Sequence, residues 1–132
     1  MAAASVGVLD HFNIRTRDLG ATVRFYQDVL GLENGPRPSF SFPGAWMYSD
    51  GRAVVHLVDI SPTDELQKPD SGVVHHVAFV SRGFQEMKRR LKAKGVSFDT
   101  REVPGGALWQ IFIRDPNGVM VELNYEMARE PA

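Results

Sequence analysis

Three of the four histidines in this chain, and one of its glutamates, fall where they could share one task. His11, His56, His76 and Glu122 each lie in a short apolar or alternating stretch; 45 residues separate His11 from His56, and 46 separate His76 from Glu122. A neutral imidazole offers a nitrogen lone pair and a carboxylate offers anionic oxygen. Three of the first with one of the second suit a borderline divalent ion: Zn, Ni, Mn, Co or Fe. Such a set leaves one or two positions of a five- or six-coordinate ion open to water or substrate oxygens, as catalytic rather than purely structural sites do. The chemistry then available is polarisation of a carbonyl, stabilisation of an enolate, or acidification of a bound water. A lone strand histidine is more often a hydrogen-bonded bystander than a ligand, and His75 is read that way, turned from His76 by the pleat. A paired set at one repeated interval is harder to explain so.

The elements that must position these residues recur as well. Residues 9–15 alternate, with Phe12 and Ile14 on one face and His11, Asn13 and Arg15 on the other, which predicts a half-buried strand. Asp18 can cap a helix carrying Leu19, Val23, Tyr26, Val29 and Leu30 on one stripe, stopped by Gly31. A short strand and an irregular Pro/Gly-rich stretch follow to residue 44, then strands at 45–48 and 53–59 around a turn. The polar segment 60–72, with Pro62 and Pro69, reads as a linker. The order then repeats, with a strand at 73–80, a helix at 84–94, and strands at 96–100, 108–114 and 119–125. His11-Phe12-Asn13-Ile14 matches His76-Val77-Ala78-Phe79, and Val55-His56-Leu57 matches Val121-Glu122-Leu123. A duplication with pseudo-two-fold symmetry follows, expected to bring the four donors to a common point.

Strand alternation puts all four donors on the face opposite the apolar layer of Ile14, Val55, Leu57, Val121 and Leu123. Around them, Phe40, Phe42, Trp46, Trp109 and Phe112 are candidates to line a cavity, with Trp46, Trp109 and Asn13 expected to contact substrate. Arg15, two residues past a ligand on the same face, could hold a carboxylate or phosphate.

Composition narrows the classes. The 132 residues fit one domain, read as module one at about 7–60, linker 61–72 and module two at about 73–126. Fifteen basic and sixteen acidic residues are spread along the chain for a net charge of −1, so no nucleic-acid partner is expected. With no cysteine, disulfides, thiolate catalysis and Cys-based metal sites are excluded. The start Met1-Ala2-Ala3-Ala4-Ser5 has neither the basic nor the apolar part of a signal peptide. No stretch reaches the roughly 18 apolar residues of a membrane span. A soluble cytoplasmic protein without membrane association is expected.

Four stretches together carry a resemblance: Asp10-His11-Phe12, Phe25-Tyr26-Gln27-Asp28-Val29-Leu30-Gly31-Leu32, His76-Val77-Ala78-Phe79, and Asp115-Pro116-Asn117-Gly118-Val119-Met120-Val121-Glu122-Leu123. Over residues 7–126 the chain resembles the vicinal oxygen chelate superfamily, which includes glyoxalase I, methylmalonyl-CoA epimerase, fosfomycin-resistance transferases and extradiol dioxygenases. The resemblance implies an α+β fold of two paired βαβββ modules, forming a cupped mixed sheet with the helices on its convex side. It also implies metal ligands on the first and last strand of each module, here His11, His56, His76 and Glu122. A homodimer acting on a small-molecule substrate is implied too, with active sites often formed between subunits. His56 departs from the pattern, since bacterial glyoxalase I usually has glutamate there and the epimerases glutamine. The expected function is a metal-dependent, glyoxalase-like lyase or isomerase working through a metal-stabilised enolate, with Glu122 or His56 moving the proton. Two alternatives are an extradiol-type ring-cleaving dioxygenase, built on His11, His76 and Glu122, and a non-catalytic drug-binding resistance protein.

Overall fold

A computed structural model describes residues 8–65, 72 and 74–131. The sequence start, residues 66–71 of the linker and Val73 of the expected strand lie outside the described residues. β1 (Phe12–Thr16) buries Ile14 and Thr16 and leaves Asn13 and Arg15 exposed, as its alternation requires. The Asp18 side chain accepts from Ala21 N at 3.0 Å and caps α1 (Leu19–Arg24). The helix does not run on regularly to Leu30. Phe25–Val29 form one wider π-helical turn, which lets the consecutive Phe25 and Tyr26 both be buried together with Val29. Gly31, at φ +78°, then ends the helix in the left-handed region.

Three strands complete the first half: β2 (Glu33–Gly35), β3 (Gly44–Ser49) and β4 (Arg52–Asp59). The second half repeats the plan with β5 (Val77–Ser81), α2 (Phe84–Ala93), β6 (Asp99–Glu102), β7 (Leu108–Arg114) and β8 (Met120–Glu126), followed by a 3-10 turn, Met127–Arg129. Three strands start three or four residues later than expected. β1 and β5 begin one residue after His11 and His76, because their ladders with β4 and β8 start at Phe12↔Val55 and Val77↔Val121. β6 starts at Asp99 rather than near Val96, because Val96 N still bonds to Leu91 O at 2.9 Å and belongs to the end of α2.

Each half forms its own four-stranded mixed sheet. The orders are β1-β4-β3-β2 and β5-β8-β7-β6, with the first pair parallel in each and the others antiparallel. The expected α+β architecture of paired βαβββ modules is therefore present, built from two mixed sheets of identical topology.

A single apolar core serves both halves. It includes Ile14, Tyr26, Met47, Val55 and Leu57 from the first, and Phe84, Leu91, Ile111, Val121 and Tyr125 from the second. Buried polar bonds join the modules on this helix side. Tyr26 OH donates to Asp115 Oδ2 at 3.0 Å, Thr16 Oγ1 to Asn117 Oδ1 at 2.7 Å, and Asn117 Nδ2 to Thr22 Oγ1 at 3.0 Å. Burial, and then Asp115 beside it, push the Tyr26 phenol well above its usual range, so it stays a neutral donor. Arg90 adds a bond to Val29 O at 3.0 Å. Because the modules dock through their helix-covered faces, the opposite faces of both sheets stay open, and Val80 of β5 is 90% exposed. Among the described residues no helix is long and apolar enough to cross a membrane.

Candidate metal-binding faces

On the open face of the first sheet, register decides who meets His56. Asn13 of β1 lies beside it on one side and Trp46 of β3 on the other. The His11 and His56 rings stack at 3.6 Å and 11°, and Trp46 stacks on His56 at 4.0 Å and 14°. The protons of both imidazoles can be placed from their partners. His11 Nδ1 lies 2.6 Å from Asp10 Oδ2, and a carboxylate only accepts, so the neutral ring keeps its lone pair on Nε2. His56 Nε2 donates to the Ala53 carbonyl at 3.1 Å, which leaves Nδ1 as its free nitrogen. Burial first, and then the neighbouring His11, hold the His56 pKa below the ordinary 6.5. The Asp10 carboxyl is held below its usual range, chiefly by the hydrogen bond from His11, with Arg52 3.7 Å away.

The second sheet repeats this placement with different chemistry. Ala78 of β5 and Phe112 of β7 flank Glu122, as Asn13 and Trp46 flank His56. Glu122 Oε1 lies 3.5 Å from His76 Nε2, and the Glu122 side chain is only 12% exposed. Its other oxygen, Oε2, accepts from Asn124 Nδ2 at 2.9 Å, and Asn124 Oδ1 accepts from Gln110 Nε2 at 2.9 Å. This amide chain fixes the carboxylate from behind. His75 is not turned away from its neighbour, because both histidines precede the strand and its pleat. The two Nδ1 atoms lie 2.9 Å apart, one donating to the other.

The four donors are thus brought together two by two, His11 with His56 and His76 with Glu122. Among the described residues no group of three or more His, Asp or Glu side chains in one chain is placed to hold a metal ion. The donor types suit a divalent first-row ion, and one chain presents them in halves. A cavity of about 390 Å³ between the π-helical turn and α2, lined by Leu32, Phe79, Arg82, Met87 and Tyr125 among others, includes none of the donors.

The expected substrate contacts divide. Trp46 and Asn13 share the open face with His56. Trp109 does not lie among the donors: it is opposite Tyr125 in the register and tilts against Phe84 at 5.6 Å, because the odd-numbered residues of this part of β7 point to the core. Arg15 is on the donor face but is ion-paired with Glu65, so its charge is already matched within the chain. Sequence reasoning missed Asp10, Asn124 and Gln110. Asp10 adjoins a candidate ligand and could have been flagged as its orienting carboxylate. Asn124 shares the face of Glu122 two residues on, but Gln110 is tied to it only through the β7–β8 register.

Comparison with known proteins agrees with this architecture. A family model described as the Glyoxalase/Bleomycin resistance protein/Dioxygenase superfamily matches residues 8–123. The chain is 28% identical over 120 residues to Glyoxylase I 4 of Arabidopsis thaliana, covering 87% of this chain and 68% of that protein. It is 27% identical over 119 residues to a lactoylglutathione lyase of Haemophilus influenzae, covering 85% and 87%. The crystal structure of a glyoxalase family protein from Bacillus anthracis superposes with a TM-score of 0.76 at 17% identity, over 95% of this chain and 99% of that one.

Proposed function

Since this chain belongs to the glyoxalase/bleomycin resistance protein/dioxygenase superfamily, we propose that it is a metal-dependent vicinal-oxygen-chelate enzyme, a glyoxalase-like lyase or isomerase that moves a proton on a small oxygenated substrate. The observation that carries this reading is the matched pair of half-sites. Two nitrogen donors lie on one open sheet face, and a nitrogen with a carboxylate lies at the equivalent place on the other.

His11, His56, His76 and Glu122 would hold the ion, and a divalent ion there would supply Lewis-acid polarisation of a substrate carbonyl. Because the modules of one chain dock through their helix sides, we assign each complete site to two copies: the first module of one and the second module of its partner. The protein is then a homodimer with two equivalent sites. Within each site the proton is assigned to Glu122 Oε1, a role in which Glu122 would act as base rather than as ligand. Its sister oxygen is engaged by Asn124, so the carboxylate presents a fixed lone pair. It takes a proton from the carbon next to a carbonyl and returns it to the neighbouring carbon. His56 Nδ1 is the alternative base, beside an ion that His11, His76 and Glu122 alone would hold, and its lowered pKa favours the neutral imidazole. Trp46, flat against His56, keeps water from that side of the ring.

Metal analysis of protein purified without a histidine tag and reconstituted with Ni, Zn, Co, Mn or Fe tests the reading. About one divalent ion per chain is expected, with loss of binding in His76→Ala. Absence of metal after reconstitution, or unchanged binding in His76→Ala, defeats it.

A further inference from the structure

Beside the first half-site the aromatic rings continue without a break. Trp46 extends the His11–His56 stack, Phe40 stands 6.5 Å from Trp46 at 49°, and Phe42 stacks on Phe40 at 5.0 Å and 13°. The angle between Trp46 and Phe40 opens a wedge next to the donors. Phe40 and Phe42 are 45% and 42% exposed, whereas the other six phenylalanines are buried or half-buried, so these two are not held by the core.

The loop that carries them is nonetheless fixed. Arg37 donates to Phe42 O at 2.9 Å while its guanidinium carbon lies 5.0 and 5.1 Å from the Phe40 and Phe42 ring centres. Tyr48 OH holds Pro36 O at 2.5 Å. A Cβ at Gly44 would stand 2.2 Å from Leu57 O and 3.0 Å from the Arg37 guanidinium, so glycine lets the chain leave the loop into β3 close against β4 and Arg37. Arg37 also has no carboxylate partner among the described residues, unlike Arg15, Arg52, Arg89 and Arg129. A ring surface with an unmatched cation, continuous with a metal-donor pair, suits a small anionic aryl ligand.

We infer that Phe40, Phe42 and Trp46, backed by Arg37, form a recognition shelf for a substrate carrying a planar aryl group and an anionic substituent such as a carboxylate. The inference rests on the reading of the site given above and adds the substrate class to it. The aryl ring enters the wedge and stacks, the anion meets the Arg37 guanidinium, and the oxygenated carbons extend toward His56.

Calorimetric titration of metal-free protein with three matched probes separates ring from charge: 2-naphthoate, 2-naphthalenemethanol and cyclohexanecarboxylate. Saturable binding of 2-naphthoate is expected, at least tenfold tighter than cyclohexanecarboxylate. The double variant Phe40→Ala/Phe42→Ala should weaken it at least tenfold while loading metal as the parent protein does. Arg37→Gln should erase the preference for 2-naphthoate over 2-naphthalenemethanol, and Arg37→Lys should keep it. No saturable binding of 2-naphthoate, or equal binding by the double variant, overturns the shelf. A protein that loads metal but binds no aryl carboxylate keeps the site and loses the shelf; one that binds aryl carboxylate but loads no metal loses only the site reading.

Discussion

At the scale of single residues, the carboxylate of Glu122 is useful only if it is aimed, and Asn124 aims it. An outer-shell partner of this kind is worth about 10–100-fold in activity or metal affinity. Asn124→Ala is accordingly expected to lower kcat by about tenfold or more, with a melting temperature close to that of the parent, since Asn124 lies on the open face. Steady-state kinetics beside thermal unfolding reads both, and an unchanged kcat would remove Asn124 from the machinery. His56 allows a second check. Its folded-state pKa is depressed, so the unfolded chain binds that proton first as the pH falls. The contribution of His56 to stability is therefore present above about pH 6.5 and is lost as the pH drops through the lower, folded midpoint. An NMR titration of the metal-free protein should place its imidazole below the ordinary 6.5. A midpoint at or above that value contradicts the burial that causes the shift. The candidate donors could be named from the chain because residue type and interval are written in it. Gln110 was not, since it is linked to Glu122 only through a strand register that one residue of slippage would change.

At the scale of elements, the sequence periodicity located both helices and most strands, but it misplaced what depends on distant partners. The helix stripe from Leu19 to Leu30 gives no hint of the π-helical turn, which forms where Phe25 and Tyr26 must both enter the core. Asp115-Pro116-Asn117-Gly118 reads locally as a hairpin turn. In the structure Asp115 and Asn117 reach across to Tyr26, Thr16 and Thr22, so the turn is also the clasp between modules. Tyr26→Phe tests it. Losing a buried hydrogen bond to a carboxylate should cost about 2 kcal/mol, or roughly 6–10 °C in Tm for a chain of this size. A Tm within a degree or two of the parent would mean that the Tyr26–Asp115 bond contributes little to holding the halves together. The duplicated element order was visible from the repeat and the fold class from the family resemblance; the side on which the halves dock was not, because both faces of each sheet carry residues that could be covered.

At the scale of the whole molecule, the proposed division of the donors between two copies follows from docking through the helix side, and complementation tests it. A variant with His11→Ala and His56→Ala keeps a sound second half, and one with His76→Ala and Glu122→Ala keeps a sound first half. Each alone should be inactive. Unfolded, mixed in equal amounts and refolded together, they should form mixed dimers in which one of two sites is intact, restoring about a quarter of parent activity at random pairing. Zero recovery, with mixed dimers demonstrated by mass spectrometry, would put the complete site inside one chain. The duplicated halves also differ in electrical character, and that difference has its own consequence. One presents two imidazoles, the other an imidazole with a carboxylate, so neither is a spare copy of its twin. A tandem of two first halves would offer four imidazoles and no fixed carboxylate to shuttle hydrogen; a tandem of two second halves would crowd two negative charges around one ion. Divergence after doubling, rather than the doubling itself, would then have made the catalyst.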